Sequence, residues 1–207
     1  MTIAQPIRRR RKEARPQEIL TAAMEEFDAV GFGQSTMAGI AKRAGISRTT
    51  IYLYYDTKEA IFEAAIRNSV EQAIDQVADL ARSQESDFRA LFGAAIDVIY
   101  DELVEGKAAI FLKILVAEGH AMPDLVAFYR REILSKGEAA ITALIAQGIA
   151  TGALSESCRY DDPRIYVAPT IFAALWMRVF DQIDPLDVDA FKDAHVRLVV
   201  DALCARQ

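Results

Sequence analysis

Apolar residues recur along this chain at intervals of three and four, broken by glycine and proline, with no run of strand-like alternation, so the pattern predicts an all-helical fold. Ile19, Leu20, Ala23 and Phe27 predict a first helix from about Pro16, in its first turn, to Val30, with Gly31 as the stop. A short second helix carries Met37, Ile40, Ala41 and Ala44; Ser35 or Thr36 caps it and Gly45 ends it. A third begins at Ser47 and ends near Tyr55. The fourth opens at Asp56 or Thr57 and presents Phe62, Ile66, Val70, Ala73, Val77 and Leu80. At roughly 25 residues it is about 37 Å long, the length of a connector between two bodies.

Beyond Ser83 the helices lengthen. They are expected over about 87–104 with a stop at Gly106, 107–118 with a stop at Gly119, and 123–150 with a stop at Gly152. Asp162 and Pro163 supply a cap and a first-turn proline for a helix through Phe180 that should bend at Pro169, and a last helix covers about 186–205.

Charge changes the picture. The 207 residues carry 24 Lys plus Arg against 30 Asp plus Glu, a net charge of −6 that taken whole disfavours a nucleic-acid partner. The charges are segregated, however: residues 1–60 hold 10 basic and 7 acidic side chains (+3), and residues 61–207 hold 14 and 23 (−9). Arg8, Arg9, Arg10, Arg11 and Lys12 head the chain, reading either as a DNA-facing arm or as a solvated tail. The longest uncharged run, Ala139–Ser155, has 17 residues and several polar ones, too short and polar for a membrane span. No apolar stretch follows the basic start as a signal peptide requires, and the lone Cys158 and Cys204 suit a reducing compartment, so a cytoplasmic location is expected. With only His120 and His195 besides, no metal site is expected; nor does any nucleophile, acid–base pair or phosphate loop show convincing spacing, so neither a cofactor nor an enzyme activity is expected.

The segment Thr36–Lys58 carries the function. Ala41, Gly45 and Ile51 have the spacing of a helix-turn-helix: the small Ala41 lets two helices cross, Gly45 takes a positive φ, and Ile51 plugs the shared core. An ordinary helical hairpin is the plainer alternative. With those three facing inward, Arg48, Thr49, Thr50, Tyr52 and Tyr54 fall largely on the outside of the third helix, side chains suited to base edges and phosphates in a major groove.

Residues from about Pro16 to Ile66 resemble the DNA-binding domain of the TetR family of bacterial transcriptional regulators. The resemblance rests on Ile19, Ala22, Ala23, Phe27, Gly31 and Phe32, on Ser35, Thr36, Met37, Ile40, Ala41, Ala44, Gly45 and Ile46, on Ser47 through Tyr52, and on Tyr54, Tyr55, Lys58, Glu59 and Phe62. Tyr55 stands where the family usually has phenylalanine, and Thr49 where glycine, proline or alanine is common. The resemblance implies a basic flexible arm (1–12), a DNA-binding domain (13–73, helix-turn-helix about 37–56) and a helical effector-binding and dimerisation domain (80–207). It also implies a homodimer that binds a palindromic operator in double-stranded DNA, represses nearby genes and is released by a small molecule. Thr36 and Lys58 should then contact phosphate, Ser47 should lie in the DNA-binding set, Arg48, Thr49 and Thr50 should read bases, and Tyr52 and Tyr54 should touch backbone or thymine methyls, while Ile51 and Tyr55 pack inward.

The C-terminal resemblance is to one broad subgroup of the family, through Met122, Pro123, Leu125, Phe128, Tyr129, Gly148, Gly152 and the stretch 169–176. It implies that the last two helices form the dimer interface, with Leu175, Val179, Phe191 and Leu198 as candidates. Phe92, Tyr100, Phe111, Phe128, Tyr129, Phe172 and Trp176 are candidates for an effector pocket, though aromatic residues at helical spacing are also plain core. An apolar or aromatic effector follows from that composition. An activator or an effector-independent repressor shares this sequence pattern, and the rival from another class is a helical carrier or enzyme using Glu118 and His120, which leaves Thr36–Lys58 unexplained.

Overall fold

The structure, a computed structural model, describes residues 7–83, 85, 87–106 and 108–204, with side chains from Ala14 onward. Its helices are α1 (Ile7–Val30), α2 (Met37–Arg43), α3 (Arg48–Ile51), α4 (Lys58–Leu80), α5 (Phe88–Tyr100), α6 (Ala109–Glu118), α7 (Pro123–Tyr129), α8 (Ser135–Ala150), α9 (Pro163–Val179) and α10 (Val188–Cys204). No strand occurs among the described residues. The first helix starts earlier than Pro16, which lies inside it, so the backbone of the arginine run is helical from Ile7. Arginine, lysine, glutamate and alanine are strong helix formers, and they extend the helix past the proline although its ring deletes one backbone donor. Residues 1–6 of the expected arm lie outside the described residues. The third helix is shorter than expected: regular hydrogen bonding ends at Ile51 and passes into turns through Tyr54.

The described chain divides into two compact units. The first takes residues up to Asn68 together with Ile114–Val126, and the second takes Ser69–Lys113 and the residues from Ala127 onward. The boundary thus falls inside α4 a few residues before 73, and a segment expected in the C-terminal domain belongs with the N-terminal one.

In the first unit, Phe27, Phe32 and Phe62 form a buried triad with ring centroids 5.1–5.7 Å apart. Gly31 (φ 79°) turns the chain out of α1, and residues 31–35 lead to α2. Two charged side chains hold that loop. Lys58 Nζ donates to the carbonyls of Phe32 (2.7 Å), Ser35 (3.1 Å) and Gly33 (3.2 Å) and lies 4.6 Å from the Phe32 ring centroid. Glu118 accepts from the amides of Phe32 (2.9 Å) and Gly33 (2.6 Å), which explains why residues 114–126 join this unit. Thr36 Oγ1 then caps α2 by accepting from Gly39 N. At the other end Gly45 (φ 63°) closes the helix: its amide donates to Lys42 O, and that of Ile46 to Ala41 O.

In the second unit, α5, α8, α9 and α10 share a core that includes Phe92, Ile96, Tyr100, Leu144, Ala173 and Val200. Burial of each large side chain contributes about 1.5–3 kcal/mol. Gly148 lets α8 approach closely, since a Cβ there would sit 2.7 Å from Phe88 Cδ2 and 2.8 Å from Leu154 Cδ1. A polar thread crosses this core. His195 Nε2 lies 2.8 Å from the Tyr166 carbonyl, which can only accept, so Nε2 carries the proton and Nδ1 is left to accept from the Tyr100 hydroxyl at 3.3 Å. Burial lowers the His195 pKa and raises that of Tyr100, keeping both neutral. Two segments are wound as π-helix, Asp101–Glu105 after α5 and Arg130–Leu134 between α7 and α8.

Two kinds of glycine should respond differently to alanine. Gly45→Ala meets open space but a left-handed backbone and should cost about 1 kcal/mol, whereas Gly148→Ala overpacks the core and should cost about 1–3 kcal/mol; urea unfolding of both variants measures this. Glu118→Ala should speed hydrogen exchange at the Phe32 and Gly33 amides and cost about 1–3 kcal/mol. Unchanged exchange at those two amides would show that the carboxylate does not hold the loop.

Candidate functional site

A candidate nucleic-acid interface is built on α3. Ser47 caps the helix, its Oγ accepting from Thr50 N at 3.0 Å and lying 2.7 Å from Thr50 Oγ1. Ile51 is fully buried and Ala41 nearly so, as the helix-turn-helix spacing predicts, while Tyr55 is only half-buried, with its pKa raised by burial. Arg48, Thr49 and Tyr52 are exposed on one face, and Thr50 and Tyr54 are half-buried at its margin. Leu53, 78% exposed, extends the same face. Positions 48, 49, 52 and 53 follow a helical stripe, so the period pointed to Leu53, but an exposed leucine between two tyrosines reads from sequence as core. Ser47 and Thr36 are exposed, with their hydroxyls already serving as caps.

Lys58, expected at a phosphate, is engaged within the protein in this structure. An ammonium has three donors, and all three are directed at the carbonyls of residues 32, 33 and 35, so none is left over for a phosphate in this arrangement. Arg43 is likewise drawn into an ion pair with Glu26 at 3.0 Å. Arg48 and Lys42 are exposed on this unit. Glu118, which the sequence offered only as a neighbour of His120, turns out to bind the loop ahead of α2, while His120 is exposed.

The second unit contains a cavity of about 450 Å³ between α4, α5, α8 and α9 and the two π-helical segments. Its volume is that of a small-molecule site. Of the seven aromatic candidates only Tyr129 lines it, and burial pushes the Tyr129 hydroxyl up to about 12. Phe92 and Tyr100 belong to the core, and Phe111 and Phe128 are buried without lining the cavity. Phe172 and Trp176 lie toward the surface of α9, where Phe172 stacks on Phe191 and Trp176 leans on Phe180. The walls are instead aliphatic, because the inward faces of these helices carry Val, Ile, Leu and Ala where they meet the cavity. Both π-helical segments contribute: Glu102 and Leu103 from one, Ile133 and Leu134 from the other.

The interface candidates divide evenly. Val179 and Leu198 are 64% and 68% exposed, and Leu175 and Phe191 are half-buried. With Ile165, Phe172, Phe180 and Ile183 they make a broad exposed apolar face on α9, α10 and the turn between them. No group of histidine, cysteine and acidic residues fit to hold a metal occurs among the described residues, and no helix there is long and apolar enough to cross a membrane.

Comparison with known proteins bears on this geometry. Residues 19–65 match the model of bacterial regulatory proteins of the tetR family, a span that includes the capped α2, the Gly45 turn and α3. The HTH-type transcriptional regulator BetI 2 of Chromohalobacter salexigens is 35% identical over 107 residues, 51% of this chain but only 48% of that protein, so the match spans about half the relative's length. The uncharacterized HTH-type transcriptional regulator YhgD of Bacillus subtilis is 27% identical over 198 residues, 92% of this chain and 97% of that one. Among solved structures, the transcriptional regulator FadR of Bacillus subtilis in complex with stearoyl-CoA shares the fold with a TM-score of 0.74 at 22% identity, over 90% of this chain and 98% of the other. Residues 19–65 are thus a helix-turn-helix segment of the tetR-family type with an exposed face on α3, set in a two-part helical fold shared with the solved regulator.

Proposed function

We propose that the protein is a cytoplasmic repressor that binds a palindromic operator as a homodimer and is released by a small apolar molecule held in the second unit. The observation that carries the DNA-binding part is the exposed stripe of Arg48 and Thr49 on α3 and Tyr52 and Leu53 in the turn that follows it, with α3 capped at Ser47 and anchored by Ile51. Arginine suits guanine edges, threonine pairs with several bases, and tyrosine and leucine offer apolar contact to thymine methyls. Lys58 and Glu118 support this surface indirectly, by fixing the loop before α2. The helical arginine run at the start of α1 would add phosphate contacts and salt dependence.

The exposed apolar side chains gathered on α9 and α10 support the homodimer, since apolar residues clustered on one face mark an interaction surface. Two half-sites about 34 Å apart would be engaged together only at one spacing of the reading helices. The backbone of α4 belongs to both units, so a ligand that favours one packing of the second unit would bias that spacing through α4, provided it binds the DNA-incompetent state more tightly. The aliphatic walls of the 450 Å³ cavity support an apolar effector.

Anisotropy titration with the DNA upstream of the protein's own gene should show binding that weakens with salt, and Arg48→Ala should cost about 1–3 kcal/mol of affinity. Absence of binding at low salt would overturn the reading. Sedimentation should give a dimer for the unaltered chain and a monomer for the Val179→Glu, Leu198→Glu double variant; a dimer that survives both charges would place the interface elsewhere.

A further inference from the structure

The cavity of the second unit is not electrically neutral in its fittings. Its walls are built mainly from Val70, Ile74, Val77, Ile99, Leu103 and Ile133, and three charged side chains reach them. Two of these are already matched. Glu138 accepts from Arg130 Nη2 at 3.0 Å, and the Arg164 guanidinium is bound by Asp162, Nε to Oδ1 at 2.8 Å, which holds the Asp162 carboxyl down to about 2. Glu102 is the third. It sits on the π-helical turn after α5, is half-buried, and has no hydrogen-bond or ion-pair partner among the described residues. Loss of water around it raises its pKa, the mark of a carboxyl without a compensating cation. The Tyr129 hydroxyl, also lining the cavity, adds a polar atom and an aromatic face but no charge.

We infer that this cavity takes an amphiphilic organic cation, an aliphatic body against the Val, Ile and Leu walls with a protonated amine or quaternary ammonium group set against Glu102. The inference rests on the reading of the cavity as the effector site and names the chemical class of that effector. A carboxylate drawn partly out of water is costly until it is paired, and a ligand cation supplies the charge that the described residues do not. The Tyr129 ring adds a surface that cations favour. An anionic ligand meets the reverse: the one guanidinium in the lining is already neutralised by Asp162, and Glu102 repels it.

Calorimetric titration of the full chain, without DNA, with octyltrimethylammonium, octanol and octanoate below their aggregation concentrations separates the cases. The cation should bind tightest and octanoate weakest. Glu102→Gln, which keeps the side chain's shape, should cut the affinity for the cation about tenfold or more and leave that for octanol unchanged. Octanoate binding as tightly as the cation, or a cation preference that survives Glu102→Gln, overturns the inference while leaving an apolar effector site standing. Binding of none of the three overturns both. The ranking on the unaltered protein decides the matter even if the variant folds poorly.

Discussion

The loop from Gly31 to Ser35 is what the reading surface depends on. It is gripped through both kinds of backbone group: Lys58 gathers three carbonyls and Glu118 two amides, with the Phe27, Phe32 and Phe62 rings packed together beneath. Charge-assisted hydrogen bonds of this kind are stronger than neutral ones, and here they replace the secondary structure that a five-residue connection lacks. The direction in which α2 leaves the loop fixes Ala41, and the Gly45 turn then fixes where Ile51 enters the core and where Arg48 points. Small displacements at residues 31–35 are thus passed to every side chain proposed to touch DNA.

Much of this was legible in the residues. Capping is a local event, so Thr36, Ser47, Asp87 and Asp162 were readable as helix starts, and Gly31, Gly45 and Gly152 as stops, with positive φ at all three. Period alone placed Ala41 and Ile51 inward and Arg48, Thr49 and Tyr52 outward, but not the exposed Leu53 or the half-buried Thr50, Tyr54 and Tyr55. Where the structure adds contacts that the residues did not announce, the partner is distant in sequence. Lys58 sits at a helix start, where a phosphate contact is the natural expectation, yet its acceptors lie 23–26 residues earlier. Glu118 acts across 85 residues. The shortness of α3 and the early start of α1 reflect a balance of propensity against tertiary packing that no short window contains.

The cavity shows a further limit of pattern. Aromatic residues were the obvious lining, yet most of them fill the core or the surface of α9, because large rings close gaps while a cavity persists where small and branched chains face one another. Periodicity identifies an inward face but does not say whether that face meets atoms or space. Glu102 is the exception that a sequence could have flagged, an acid at the inward margin of an apolar helix, although its want of a partner among the described residues is visible only in three dimensions.

The two π-helical turns carry a consequence for how such a cavity arises. A π-turn holds one more residue than the α-turn it replaces, and everything beyond it on the helix is rotated by roughly 100° relative to an uninterrupted helix. Asp101–Glu105 ends its helix at Gly106, whereas Arg130–Leu134 runs from α7 into α8, so only the second turns a following helix; both supply cavity wall, Glu102 and Leu103 from one and Ile133 and Leu134 from the other. One residue gained or lost within Arg130–Leu134 would therefore turn the whole of α8 against the cavity, a step much coarser than exchange of a side chain, while the caps of α2 and α3 stay as they are.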